Sequence, residues 1–236
     1  MINFLKKIYY NKYSEKSHSI SGVDLIVDRF FSKVKNGIYI DIGCNHPIKY
    51  NNTYLLYKRG WKGINVDLDQ KSIDEFNKFR PKDHNIKSLI SNNNDDTKKI
   101  YFFHERSALN TIEKEILDHG NIKEEDIERK YKKKKKINDI IEKSIFKNDK
   151  INFMSIDIEN HEYEALKNFD FKRYSLDLII TECHDLSQKK AEIYNNNIDF
   201  IQSHKVYKLL NENNYKLINW VNSDLVFCRK DFSEKQ

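Results

Sequence analysis

Ile38-Tyr39-Ile40-Asp41-Ile42-Gly43 and, further on, Gly63-Ile64-Asn65-Val66-Asp67 are the stretches whose reading decides the fold. Each is a short apolar run rich in β-branched residues with an acid at or near its end, and each reads as a strand of a buried sheet. Between them Thr53 to Lys58 reads as a helix stopped by Gly60, and a second helix is expected from Gln70 to Phe79. Upstream, Val23, Ile26, Val27, Phe30, Phe31 and Val34 recur at helical spacing, giving a helix over 22–34 with Ser21 as its cap. Downstream, Lys87 to Ile90 gives a third strand and Ile100 to Phe103 an extra one. Ile151 to Ile156 and Leu176 to Ile180 are nearly continuous apolar strands. A helix from Ile198 to Asn211 precedes two last strands, Tyr215 to Trp220 and Leu225 to Cys228, which close the sheet edge as a hairpin.

Strands alternating with helices imply an α/β fold: a doubly wound, mostly parallel sheet with helices on both faces. The chain divides into an N-terminal arm, 1–20, and one domain, 21–236. That domain carries a charged helical insertion at 113–147, ending in the run Lys132 to Lys136.

With 42 Lys and Arg against 36 Asp and Glu, the net charge of +6 is a mild basic excess that admits phosphorylated or nucleotide-bearing substrates. The lysine run has no aromatic interleaving beyond Tyr131, so it reads as a solvated charged face rather than a nucleic-acid platform. Cys44, Cys183 and Cys228 are odd in number and form no CxxC pair. They point to reduced thiols in a cytoplasmic protein. No apolar run reaches transmembrane length, and the amphipathic opening at Met1 reads as a frayed arm. A homo-oligomer is compatible with this composition.

Ligands of doubly wound sheets sit at the carboxyl ends of the strands. Asp41-Ile42-Gly43-Cys44-Asn45-His46 ends the first strand, and Asn45 and Ile48 stand where a dinucleotide fingerprint needs glycines. Asp67, at the second strand end, suits a ribose, because a carboxylate accepts from both hydroxyls. Asp157, Glu159, His161 and Glu162 follow the fourth parallel strand, and Thr181-Glu182-Cys183-His184 the fifth. Carboxylates at adjacent strand ends repel one another unless an ion, a cationic substrate or a proton intervenes. Glu162 and Glu164 also fit the acidic first turn of the next helix. His46, His104, His161 and His184 are candidate bases.

Gly37 to Gly43, Asn52-Thr53-Tyr54, Gly60 to Asp67, Ser107 to Thr111 and Ser155 to Glu162 together resemble the FkbM family of methyltransferases, over about residues 21 to 182. The resemblance implies a class I methyltransferase fold, S-adenosylmethionine as cofactor, and O-methylation of a sugar, sugar nucleotide or natural product, as in surface polysaccharide decoration. By position, Asp41, Gly43 and Asn52 fall near the methionine end, Asp67 on the ribose, and Ser88 or Leu89 near the adenine. Asn45 and Leu68 adjoin them. Asp157 to His161 face the acceptor, with His46, His104 and Glu159 as its binding residues. Asn160 stands where the family commonly has glycine, and Asn tolerates a left-handed backbone.

A sugar hydroxyl needs its proton taken or weakened, and two devices are open. One is a histidine base, His161 or His184. The other is magnesium or manganese on Asp157, Glu182 and His184. Two rivals are a nucleic-acid methyltransferase, against which Asp157-Ile158-Glu159-Asn160 lacks the Pro-Pro-aromatic turn, and a non-catalytic nucleotide-binding protein.

Overall fold

The computed structural model describes Tyr9 and residues 14–92, 97–102, 128–183 and 197–233. Helix α1 (Val23–Phe30) leads into β1 (Ile38–Ile42), α2 (Tyr54–Lys58), β2 (Lys62–Asp67), α3 (Gln70–Phe79) and β3 (His84–Lys87). The short β4 (Leu89–Ile90), β5 (Thr97–Phe102) and β6 (Glu128–Lys135) follow, then α4 (Ile137–Glu142), β7 (Ile151–Ile156), α5 (Glu162–Leu166) and β8 (Leu178–Glu182). The remainder is α6 (Ile198–Ser203), α7 (Lys205–Glu212), β9 (Tyr215–Val221), β10 (Asp224–Arg229) and α8 (Lys230–Ser233).

Seven strands form the main sheet in the order β3-β2-β1-β7-β8-β10-β9. The first five run parallel, and β10 and β9 complete the edge antiparallel, as the expected hairpin. Side chains alternate between faces. Tyr39, Phe153, Leu178, Ile180 and Val226 pack with α1 and Trp61 on one side. Ile40, Ile42, Val66, Met154 and Ile179 pack with α4, α5 and α7 on the other. The strand order reverses between β1 and β7, so the crevice for a ligand opens at their carboxyl ends. Among the described residues no helix is long and apolar enough to cross a membrane, and all three cysteines are buried.

Several sequence expectations need correction. The lysine run is not helical: Lys132 to Lys135 lie on β6, which pairs antiparallel with β5 and parallel with β4. Lys and Glu favour helices only weakly, and ladder hydrogen bonds to a neighbouring strand override that preference. Nor is the run wholly solvated, since Lys134 is buried. The expected third strand starts earlier, at His84, and leaves the main sheet after Lys87; Leu89 and Ile90 belong to the small sheet. The strand expected over 176–180 is displaced to 178–182, so Thr181 and Glu182 are its last residues rather than its sequel. Helix α1 is shorter than 22–34 and is entered through Gly22 at φ 83°, not capped by Ser21. The single helix expected over 198–211 is interrupted at His204. Residues 103–127, which include much of the charged insertion, lie outside the described residues.

Candidate active site

After β1 the chain reverses at Gly43, whose φ of 78° favours glycine. The Gly43 and Cys44 N–H groups both donate to the Val66 carbonyl, at 2.9 and 3.2 Å. Asn45 is also left-handed, at φ 49°, and its N–H donates to Oδ2 of Asp67 at 2.8 Å. The Asp69 N–H donates to the other oxygen, Oδ1, at 2.8 Å. Both oxygens are thus fixed, with lone pairs left for further donors. Asp67 is half-buried, and burial raises its carboxyl to about 6 despite those two amides. Leu68 adjoins it, half-buried, and Ser88 and Leu89 lie nearly buried on the flank, with the Ser88 N–H on the Asp67 carbonyl at 2.9 Å.

Asp41 points inward, 4% exposed. Its Oδ2 accepts from Asn51 Nδ2 at 2.9 Å and Thr53 Oγ1 at 2.8 Å. Desolvation raises its pKa, and the charge of Arg80 opposes that rise. Arg80 is fully buried. It donates to Thr53 Oγ1, Asn51 Oδ1, the Tyr39 hydroxyl and the Pro47 carbonyl, and so fastens the loop after β1 to the sheet. Tyr39 in turn donates to Asp83, which also accepts from the Gly63 N–H and Asn65 Nδ2. Nothing in the sequence distinguishes this arginine from its neighbours. Arg80→Met should cost about 3–5 kcal/mol, the effect of removing one partner from a buried charged network. Urea unfolding monitored by circular dichroism measures it; a loss below about 1 kcal/mol would mean the network is inessential to stability.

Asn52 reaches across to β7, its Nδ2 donating to Ser155 Oγ at 3.1 Å. The Asp157 N–H donates to the Ile42 carbonyl at 2.9 Å, so the ends of β1 and β7 are joined. Beyond β7, Glu159 and Asn160 are both left-handed, at φ 55° and 70°. The turn expected at Asn160 therefore survives without glycine. Carboxylate oxygens of Asp157, Glu159 and Glu182 all lie within 4.8 Å of one another. Glu159 joins this group, beyond the pair expected from sequence. Asp157 is the most exposed of the three. Desolvation by the chain around it, then the charges of the nearby Glu182 and Glu159, raise its pKa well above the usual carboxylate range.

Two residues not singled out from sequence as clamps hold this group. Ser223, in the β9–β10 turn, donates its hydroxyl to Glu182 Oε1 at 2.8 Å. Glu162, the first residue of α5 and buried, accepts the Ile158 N–H at 2.8 Å. Glu164 bonds Asn92 and Lys167. Both glutamates thus serve the local structure, as a first-turn acid would.

The histidines separate. His161 is 2% exposed and shares a hydrogen bond of 3.0 Å with Ser91. His46 accepts the Ile48 and Lys49 N–H groups on Nδ1 and turns Nε2 toward Glu75 at 3.7 Å, ordering the loop it sits in. His104 and His184 lie outside the described residues. Among the described residues, then, the carboxyl ends of the parallel strands carry a glycine turn with a steadied carboxylate at β1–β2, and three clustered carboxylates at β7–β8.

The sequence model of one protein family, described as Methyltransferase FkbM domain, matches residues 41–217, about three quarters of the chain. That span holds both groups of residues. No curated protein matches the chain.

Proposed function

The chain belongs to the FkbM methyltransferase family, and from that membership we propose that it moves the methyl group of S-adenosylmethionine onto a hydroxyl of a sugar or sugar nucleotide. The observation that carries the reading is the half-buried Asp67 carboxylate at the β2 end, each oxygen already steadied by a backbone amide and still able to accept from a ribose hydroxyl. Gly43 and Asn45 supply the turn for the methionine end, with Asp41 and Asn52 behind it. Leu68, Ser88 and Leu89 flank the adenine side. The acceptor lies over the ends of β7 and β8.

The sulfonium already activates the methyl group. What this chain contributes is alignment of the acceptor oxygen for in-line displacement, exclusion of water and handling of the hydroxyl proton. Three oxygen donors at Asp157, Glu159 and Glu182, within 4.8 Å of one another, suit magnesium or manganese in chemistry. Such an ion, when bound, lowers the pKa of the hydroxyl it holds. His161, His184 and His104 are the candidate bases in an ion-free alternative.

The test is methyl transfer from labelled S-adenosylmethionine to a panel of sugar nucleotides, with DNA and RNA alongside. Label in a sugar nucleotide supports the reading; label in nucleic acid alone would overturn it.

The raised pKa of Asp67 gives a pH dependence with a definite sign. Ribose hydroxyls donate to the ionised carboxylate, so affinity should rise as pH passes upward through about 6. Cofactor affinity measured calorimetrically should be about tenfold weaker at about pH 5 than at about pH 7.5. Asp67→Asn should flatten that dependence, and a wild-type affinity that ignores pH would remove Asp67 from the ribose. Stability has the opposite sign. A carboxyl whose pKa rises from 3.8 to about 6 on folding holds its proton more tightly when folded. Its contribution is full below the lower value and is lost as pH rises through the higher one.

A further inference from the structure

Residues 17–20, expected from sequence to be part of an arm, and the adjoining Ser21 are hooked to the domain at both ends. Asp24, fully buried in α1, accepts from Ser17 Oγ at 2.6 Å and Ser19 Oγ at 2.9 Å on Oδ1, and from the His18 N–H at 2.6 Å on Oδ2. The His18 carbonyl accepts the Asn51 N–H at 3.0 Å, beside Asn52, and its ring meets Tyr54 edge-on with centroids 4.6 Å apart. At the other end Ser21 donates its hydroxyl to Asp224, the residue of β10 that lies opposite Glu182 in register. One hook is therefore the loop after β1 and the other the head of β10. In the sheet those two strands flank β7 and β8, whose ends carry Asp157 and Glu182.

We propose that residues 17–21 form a strap that walls one side of the crevice across the ends of β7 and β8, shielding cofactor and acceptor and opening to exchange them. It rests on the cofactor reading above. The strap is held by polar hooks rather than apolar burial: Ile20 stands 71% exposed. A segment fastened in this way lies at the low end of local stability and can open without unfolding the domain. The His18 ring is half-buried beside the Ile48 backbone and the Tyr54 ring. Burial also lowers the His18 pKa, favouring a neutral ring that can either donate or accept. A closed strap excludes water from the transfer step.

The experiment is stopped-flow binding and release of S-adenosylhomocysteine by the full chain, with hydrogen exchange of the 17–21 amides. In the wild type, the ligand should slow exchange across the strap. Ser21→Ala, which removes the hook on Asp224, should speed release about three- to tenfold, the effect of one hydrogen bond of ordinary strength. Association should speed up as well, because a wall that opens more often admits as well as releases, so the two rates should rise together. Asp24→Asn, whose amide nitrogen must face either the His18 N–H or the pair of serine hydroxyls, should act in the same direction. Unchanged rates in both variants, or no added protection in the wild type, would overturn the strap. A wild type that fails to bind S-adenosylhomocysteine would overturn the cofactor reading and the strap together.

Discussion

Gly43→Ala is expected to destroy the site and to destabilise the protein by more than about 4 kcal/mol, in the range reserved for gross steric conflict. A Cβ at this position would stand 1.7 Å from the carbonyl oxygen of Asp157. That atom is backbone and cannot swing aside as a side chain would. Relief requires the ends of β1 and β7 to part, which breaks the Asp157 N–H bond to the Ile42 carbonyl and displaces Asp157 itself. The left-handed φ of 78° adds a conformational cost for any side chain. Gly22 is the control: it has a similar φ of 83°, and nothing lies within 4 Å of its Cβ position. Gly22→Ala should therefore show only the backbone term, about 1–2 kcal/mol. Urea unfolding of both variants gives the comparison. Equal losses would mean that close approach to Asp157 is not what Gly43 provides.

Prolonged treatment with a chelator is expected to stop turnover while leaving cofactor affinity unchanged, and manganese or magnesium should restore it. The rate loss should be about a hundredfold or more, since a bound ion contributes several kcal/mol to such a transition state. The motive is geometric. Asp157, Glu159 and Glu182 bring oxygens within 4.8 Å of one another, while Ser223 and Glu162 hold the surrounding chain in place. Three carboxylates gathered this closely repel one another unless a cation or protons compensate. Asp157→Asn should reproduce the loss and resist rescue at ordinary ion concentrations. Full activity in chelator would reject the ion and leave His161, His184 and His104 as the bases to substitute next.

The central sheet was readable because its strands are apolar runs ended by acids. β1 and β7 fall where Ile38 to Ile42 and Ile151 to Ile156 predict them, and α3 where Gln70 to Phe79 does. What escaped depends on partners distant in sequence. Lys132 to Lys135 become a strand because Thr97 and Lys98 pair with Lys133 and Lys132, and Leu89 and Ile90 with Lys134 and Lys135. Arg80 looks like any cation at a helix end, and its role follows from Asn51, Thr53 and Tyr39 converging on it in three dimensions. Asp67 at a strand end was legible from position, but the amides of Asn45 and Asp69 on its two oxygens were not. Glu159 joins Asp157 and Glu182 by way of two consecutive left-handed residues, a conformation that Asn160 suggests and a glutamate does not. His161, placed among candidate bases by its neighbours in sequence, proved to be enclosed.

The most direct measurement is isothermal calorimetry of the purified full chain with S-adenosylmethionine and S-adenosylhomocysteine, with NAD as the comparison. The account predicts one site per chain for both sulfur compounds, a dissociation constant on the order of micromolar, and no heat from NAD. Silence with both sulfur compounds at about millimolar concentration, together with saturable binding of NAD, would contradict it.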